Sequence, residues 1–556
     1  MSLARPWLAH YPEGVPHEIA LEGDQSLLDL FETAFQSYPD RIACEFMEKA
    51  LTYRQLDLLS QDFAAYLQTL DLETGSRVAI MLPNTPSYLI AMLATLRSGL
   101  VVVNVNPLYT SRELEHQLRD SGSSVLVLLE NFAHVYQAIA DQKIVKKVIV
   151  ASIGDLLGLK GKVINLAARH VKKMVPPWSF DCFRFLKAIQ IGKQQTYKRP
   201  AIKARDIAFL QYTGGTTGLS KGAVLLHQNL LANVKQIEVW LEPVLLDRQQ
   251  EQLVFICPLP MTHIFALTAC ALLGMRKGGK LILVANPRDI PGFINTLQKY
   301  PNIHIFPGVN TLFHALIHHP DFEKVKFSNL LVTIGGGMAV QRKTAELWHQ
   351  ATGVPIAQGY GLSETSPVVC VNTPLVNTFT GSIGMPLPST DIIIADDDGC
   401  TLPFGSSGEI YIRGPQVMAG YWQQADETNQ AITADGYFKS GDIGFMQSDG
   451  HIHIVDRKKD MIVVAGFKVF PNEIEDIIVT MPGVLECAVI GRPHRKLGEI
   501  VTVYIVKTNP ELSELAVIQF CKENMTSYKR PRKVIFMNEL PKSNVGKILR
   551  RQLRDL

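Results

Sequence analysis

From about residue 25 onward the apolar positions follow two alternating rhythms. Runs with apolar residues three and four apart, from Leu51 to Leu70 and from Tyr88 to Arg97, predict helices. Between them lie short continuous apolar runs: Arg77 to Leu82, Leu100 to Val105, Ser124 to Leu129, Leu253 to Pro258, Lys280 to Val284 and Leu330 to Ile334. Strands that read as unbroken apolar runs are covered on both faces, so the pattern predicts parallel sheets between helical layers, an α/β fold. After residue 380 the rhythm shortens. Asp391 to Ala395, a turn at Asp396 to Gly399, and Gly408 to Arg413 predict a β-rich subdomain over about 380–455. The charged stretch Asp456-Arg-Lys-Lys-Asp460 then leads into a compact set of strands and helices, ending in a basic helix from Lys547. This predicts a small α+β C-terminal domain over 459–556 after a large N-terminal domain over 1–458.

The 556 residues agree with this division, since a single hydrophobic core stops growing near ~250 to 300 residues. With 47% hydrophobic and 19% charged residues the chain has enough apolar material for large cores and no bias toward disorder. Fifty-five Lys plus Arg against 52 Asp plus Glu leave a net charge of +3, far from the basic balance of a nucleic-acid-binding protein. The eight cysteines contain no C-x-x-C pair, the pattern of free thiols in a reducing compartment. The first residues, MSLARPWLAHYPEGVPHE, lack the apolar run of a secretory signal, so a cytoplasmic protein is expected. The sequence leaves homodimer formation open.

One interval departs from this even balance. From Lys160 to Pro200 there are ten Lys or Arg and one acid, Asp181. Val163, Leu166, Ala167, Val171 and Met174 fall at helical spacing, and Lys160, Lys162, Arg169, Lys172 and Lys173 carry the charge. A basic amphipathic helix of this kind fits peripheral contact with an anionic membrane, and it fits a solvated surface helix equally well.

The strongest chemical signal is Tyr212-Thr-Gly-Gly-Thr-Thr-Gly-Leu-Ser-Lys-Gly222, set between strand-like runs Ile207 to Leu210 and Ala223 to Leu226. Gly214, Gly215 and Gly218 let the backbone curl so that its N–H groups converge. Thr213, Thr216 and Thr217 add hydroxyl donors and Lys221 a point charge, so the loop is suited to holding phosphate. It is not a Walker A loop, because Lys221 is followed by Gly222 and has no glycine directly before it.

That loop resembles the phosphate-binding segment of the adenylate-forming enzymes, the superfamily of acyl-CoA synthetases, firefly luciferase and peptide-synthetase adenylation domains. Three further segments agree in the superfamily's order: Gly359-Tyr-Gly-Leu-Ser-Glu-Thr365, Lys439-Ser-Gly-Asp442 and Pro541-Lys-Ser-Asn-Val-Gly-Lys547. The resemblance covers essentially the whole chain. Val105-Asn-Pro-Leu-Tyr109, Asp456 to Met461 and Pro471-Asn-Glu-Ile-Glu475 are most similar to the bacterial long-chain fatty acyl-CoA synthetases. The chain departs from the usual pattern at Thr262, where Phe or Tyr is common, at Ser220 for Pro, and at Lys439-Ser440 for His-Thr.

The resemblance implies an ATP- and Mg²⁺-dependent ligase. A carboxylate is a poor acylating agent; it attacks the α-phosphate of ATP to give acyl-AMP and pyrophosphate, and the coenzyme A thiol then displaces AMP. Two anions must meet, which calls for cations and fixed donors around the phosphates. The resemblance gives Glu364 and Thr213 to Mg²⁺, the loop Thr213 to Gly218 with Lys221 to the phosphates, and Gly336, Gly337, Tyr360 and Gly361 to the adenine. Asp442 can accept from both ribose hydroxyls with its two oxygens, with Arg457 beside it. Lys547 binds the carboxylate and α-phosphate oxygens during adenylation. The resemblance also implies a hinge near Lys459, about which the small domain rotates to exchange Lys547 for the loop at Gly466, past which the thiol arrives. His263 lies where the superfamily approaches the acyl carbonyl, although a lone histidine beside apolar residues is as readily a core residue. The apolar tracts Ile264 to Met275 and Thr311 to Ile317 fit an acyl tunnel or ordinary core. Two other functions remain: a fatty acyl-AMP ligase loading a carrier protein, which characteristically has an insertion absent here, and a non-catalytic lipid-binding protein at the membrane.

Overall fold

The computed structural model describes residues 5–21, 25–213, 220–246, 251–375, 378–543 and 546–556. Two large sheets dominate the first four-fifths of the chain. One has eight strands: Arg77–Met81 lies between Val101–Asn104 and Ser123–Leu129, and parallel neighbours extend it to Ile207–Thr213 on one side and Phe183–Arg184 on the other. The other has nine, with Ile42–Phe46, Lys280–Leu283, Val254–Cys257, Ile305–Gly308, Val332–Gly335 and Ile356–Gly361 parallel and antiparallel strands at both edges. The apolar runs read as doubly covered strands are these, and their residues are almost all buried.

The helix Pro86–Arg97 shows why the two sheets pack as layers. All twelve of its residues are buried, so it has no solvent face, and it touches strands of both sheets. Arg97 at its end is made tolerable by Asp57, with which it forms a short ion pair.

A four-stranded antiparallel sheet of Asp391–Ala395, Gly408–Arg413, Phe438–Met446 and Ile452–Arg457 follows, as the alternating rhythm predicts. The remaining strands form a separate five-stranded sheet with apolar clusters of its own. Ile462, Val489, Val503 and Val517 lie on one face, and Ala488, Tyr504 and Leu553 on the other. The fold is therefore a large α/β domain followed by a small α+β one.

The last helix starts later than the sequence predicts, at Arg550 rather than Lys547. Lys542 and Ile548 form an antiparallel bridge, and Ser543 N–H donates to the Lys547 carbonyl at 2.8 Å. Lys547 is thereby held in a turn with positive φ at Gly546 (+78°), which a helix cannot include. The basic interval does form the predicted helix, Gly158–Leu166, continued as a π-turn over Ala167–Val171. Among the described residues, no helix is long and apolar enough to cross a membrane.

Candidate active site

Three segments of the large domain come together at one place, and the end of the small domain packs against them. The first segment is the hairpin Ile207–Thr213 and Lys221–Leu226, in which Thr213 pairs with Lys221 across the ladder. Antiparallel pairing sets Thr213 and Lys221, which flank the glycine-rich segment, opposite each other. Gly214, Gly215, Thr216, Thr217 and Gly218 lie outside the described residues. The short strand Gly420–Tyr421 adds to the hairpin edge, with Tyr421 opposite Ala223. This puts the Lys221 ammonium 5.4 Å from the centre of the Tyr421 ring, in a short ion pair with Glu427.

The second segment is the turn Ser363–Thr365, which packs against both strands of that hairpin. Its Glu364 is buried and accepts a hydrogen bond on Oε1 from the Tyr421 hydroxyl at 2.8 Å. Burial raises the carboxyl pKa, with the Tyr421 hydrogen bond opposing. A desolvated carboxylate of this kind gains stability from a cation, and Mg²⁺ is usually held by one or two carboxylates together with substrate phosphates. The donor set therefore fits Mg²⁺. Among the described residues no group of three or more His, Cys, Asp or Glu forms a complete metal cage.

The third segment joins the strand Ile356–Gly361 to the antiparallel sheet. The Tyr360 hydroxyl donates to Asp442 Oδ2 at 2.7 Å, while Asp442 Oδ1 lies 3.2 Å from Arg457 Nε. Asp442 and Arg457 face each other in the ladder of neighbouring strands, so the backbone register itself brings them together. Glycine is required at Gly361 and closely packed at Gly336. A Cβ on Gly361 would stand 2.0 Å from the Pro367 carbonyl oxygen, and one on Gly336 would meet the Gly359 carbonyl and the Phe265 ring, both at 3.2 Å. Gly337 adopts φ +76°.

Lys547 enters from the small domain. Burial, with the Arg457 charge beside it and Asp442 opposing, lowers its pKa to about 7. Burial and the nearby Lys547 charge lower His263 to about 4, so its ring is neutral, and its Nδ1 accepts from Phe265 N–H at 3.3 Å. His263 is therefore at the site and caps a helix there. The Lys547 loop is seated on the large domain: Arg288 donates to the Ser543 carbonyl at 3.1 Å, and a Cβ on Gly546 would stand 2.4 Å from Thr311 Oγ1. Gly466 is elsewhere. It forms an exposed hairpin tip at φ +86°, with nothing within 4 Å of where its Cβ would be.

Asp442 and Arg457 thus lie near both Glu364 and Lys547, His263 lies near Lys547, Tyr360 is bonded to Asp442, and Lys221 is linked to Glu364 through Tyr421. Sequence reading missed Tyr421 and Glu427. The one available signal was Gly420-Tyr-Trp422, an aromatic pair after a glycine, whose Trp422 indole donates to the Asp120 carbonyl at 3.1 Å.

A buried carboxylate, an aspartate–arginine pair and a lysine from the end of the chain thus gather at one place, and comparison with known proteins gives this gathering a family. The profile of the AMP-binding enzyme family matches residues 31–422, and that of the AMP-binding enzyme C-terminal domain matches 473–547. The chain belongs to the AMP-binding enzymes. Over 556 residues it is 47% identical to the long-chain-fatty-acid–CoA ligase of Escherichia coli O6:H1, covering 100% of this chain and 98% of that protein. The Bacillus subtilis protein of the same name is 35% identical over 100% and 98% of the two chains. The crystal structure of ATP-bound MatB from Rhodopseudomonas palustris superposes with a TM-score of 0.81 at 28% identity, over 95% of this chain and 98% of that one.

Proposed function

We propose that the protein is a long-chain fatty acid CoA ligase, joining a fatty acid to ATP as acyl-AMP with release of pyrophosphate, then exchanging AMP for coenzyme A. The observation that carries the reading is Lys547, brought from the end of the chain beside Asp442, Arg457 and His263. In this reading Asp442 orients the ribose. Tyr360 and the glycine backbone at Gly336, Gly337 and Gly361 receive the adenine. Thr213 to Gly218 with Lys221 hold the phosphates, and Lys547 bridges the attacking carboxylate and the α-phosphate. A neutral His263 lets the fatty carboxylate approach without a competing ion pair. Glu364 and Thr213 would hold Mg²⁺, which when bound neutralises charge on the non-bridging oxygens.

Lys547 and Gly466 cannot both serve the cleft in one orientation, because Gly466 stands exposed while Lys547 is seated. In this reading the small domain, residues 459–556, turns about the segment at Lys459 between half-reactions. A pyrophosphate-exchange panel from acetate to oleate tests the first step. Exchange confined to long acids, with AMP release on adding coenzyme A, is expected; exchange with none of them would sink the reading. AMP release only with a phosphopantetheinyl carrier protein would make the protein a carrier-loading ligase instead.

The basic interval supports a cytoplasmic enzyme that meets the inner face of the membrane. Leu159, Val163, Leu166, Val171 and Met174 are 80%, 67%, 60%, 77% and 55% exposed, far more apolar surface than a solvated helix needs. Lys160 is tied to Glu48 and the Met47 carbonyl, while Lys162 and, at the far end, the pair Lys172 and Lys173 face outward. Each contributes about 1 kcal/mol beside anionic lipid. Replacing the pair with glutamine should weaken sedimentation with anionic vesicles severalfold, and unchanged binding would return the segment to an ordinary surface helix.

A further inference from the structure

A buried glutamine interrupts the apolar strand that leads into the glycine-rich segment. Gln211 is 4% exposed, and it lies two residues before Thr213, on the same face of the strand Ile207–Thr213. Its Nε2 donates to the Thr262 carbonyl at 2.9 Å, and its Oε1 accepts from Asn104 Nδ2 at 3.1 Å. Asn104 stands beside it in the neighbouring parallel strand, and its Oδ1 accepts from the Tyr88 hydroxyl at 3.0 Å. The same hydroxyl lies 2.7 Å from the Met261 carbonyl, and Asn84 Oδ1 accepts the Met261 N–H at 2.8 Å. Burial pushes the Tyr88 pKa up, so its hydroxyl keeps its proton and remains a donor.

The donors run in one direction. Tyr88 gives to Asn104, Asn104 to Gln211, and Gln211 to the carbonyl of the peptide that carries His263. Turning the Gln211 amide over would set its oxygen against that carbonyl, so the chain has a single polarity. It also joins the two sheets. Asn104 and Gln211 belong to the eight-stranded sheet, whereas Met261 and Thr262 follow the strand Val254–Cys257 of the nine-stranded one, and Tyr88 sits on the buried helix between them. Apolar packing holds two sheets together but tolerates small slides. Hydrogen bonds weaken steeply with distance and angle, and a fully satisfied buried network allows one arrangement.

We propose that Gln211 is a positioning residue for adenylation: through Thr262 it holds the His263 segment, on the acyl side, at a fixed offset from Thr213, on the phosphate side. The inference rests on the reading of this protein as an acid–ATP ligase, in which the fatty carboxylate passes His263 to reach the α-phosphate. Attack requires the two reacting atoms in near contact and in line, so a small slide of one sheet against the other lowers the rate without loosening either substrate.

The test reads ATP–pyrophosphate exchange with oleate, well below the melting temperature of each variant. Gln211→Met keeps the length of the side chain and removes both hydrogen bonds, so kcat should fall about tenfold while KM for ATP and for oleate stays within about twofold. Gln211→Glu separates position from packing. Protonated, its carboxyl donates to the Thr262 carbonyl and accepts from Asn104 as the amide does; ionised, it has no donor and repels that carbonyl. Burial raises a carboxyl pKa, so the working form is present at low pH and is lost as pH rises through the raised value. Dividing by the rate of the unmodified protein at the same pH removes the titration of Lys547. That ratio should be within about twofold of unity near about pH 6 and about tenfold lower near about pH 9, whereas the ratio for Gln211→Met stays flat. Tyr88→Phe, which deletes the first donor and leaves the ring packed, should lower kcat about threefold at unchanged KM. If Gln211→Met does not fold, the pH ratio of Gln211→Glu and the kcat of Tyr88→Phe decide alone. A Gln211→Met variant with unchanged kcat, a rise confined to KM, or a Gln211→Glu ratio that ignores pH would each overturn the proposal. Unmodified protein that exchanges pyrophosphate with no acid would refute the ligase reading itself, and the proposal with it.

Discussion

Replacing Gly546 with alanine separates the two half-reactions by a steric contact that exists in only one domain orientation. Gly546 has φ +78°, so an L-residue there costs about 1 to 2 kcal/mol, a penalty internal to the small domain and present in both orientations. The added Cβ would also stand 2.4 Å from Thr311 Oγ1, on the large domain, while its next neighbours, at 3.6 and 3.7 Å, are in ordinary contact. The overlap is with a single atom. Relief requires Thr311 to leave its rotamer or the loop to withdraw by about 1 Å, and overpacking of this size costs roughly 1 to 3 kcal/mol. At about 1.4 kcal/mol per decade, adenylation should fall roughly ten- to a hundredfold. Pyrophosphate exchange measures that loss directly. Thioester formation from supplied acyl-AMP should stay within about twofold, because no such contact limits the other orientation. Adding Thr311→Ala removes the clashing oxygen and leaves the 3.6 Å contact, so the double variant should recover most of the exchange rate. Equal loss in both half-reactions, or a loss that Thr311→Ala does not relieve, would refute the seating of this loop as the adenylation geometry.

Lys547→Ala should abolish acyl-AMP formation and spare thioester formation from supplied acyl-AMP; parallel loss in both assays would contradict the two-orientation account. The lowered pKa of Lys547, about 7, means that the seated, nucleotide-free site favours the neutral amine above about pH 7. Its folded value lies below the free-lysine value near ~10.4, so closure gains stability as pH rises from about 7 to about 10. Anionic ATP restores the charge, so binding at pH 8 should take up close to one proton. Calorimetry in buffers of different ionisation enthalpy reads that uptake, and Lys547→Met should remove it. Tyr421→Phe deletes the hydroxyl that donates to the buried Glu364 carboxylate; a hydrogen bond to a charged group is worth about 1.5 to 3 kcal/mol. Adenylation should fall at least tenfold with a higher Mg²⁺ requirement, and an unchanged Mg²⁺ titration would remove Tyr421 from the site.

Much of this site could be read from the chain because its parts are local. The Tyr360 to Glu364 turn, the Gly441-Asp442 corner and the Gly546-Lys547 turn each rest on the geometry of a few successive residues, which the sequence writes directly. The amphipathic interval was equally legible, down to Val163, Leu166, Val171 and Met174, all exposed in the fold. Tyr421 and Glu427 were not. Tyr421 reaches Glu364 only because its two-residue strand adds to the hairpin edge, and two residues carry no periodicity from which to infer that placement. The onset of the last helix was misread for a related reason: the bridge between Lys542 and Ile548 overrides the helical preference of the basic tail.

The sequence by itself therefore determined the alternation that makes layered α/β sheets, the small domain with its own core, and the chemical identity of each turn lining the cleft. Only the tertiary structure decided which turns meet. Glu364 with Tyr421, His263 with Lys547, and Gly546 with Thr311 lie 57 to 284 positions apart in the chain. Their contacts are set by how two sheets pack across a buried helix and where the small domain seats, and these depend on summed burial over the whole molecule rather than on any local pattern.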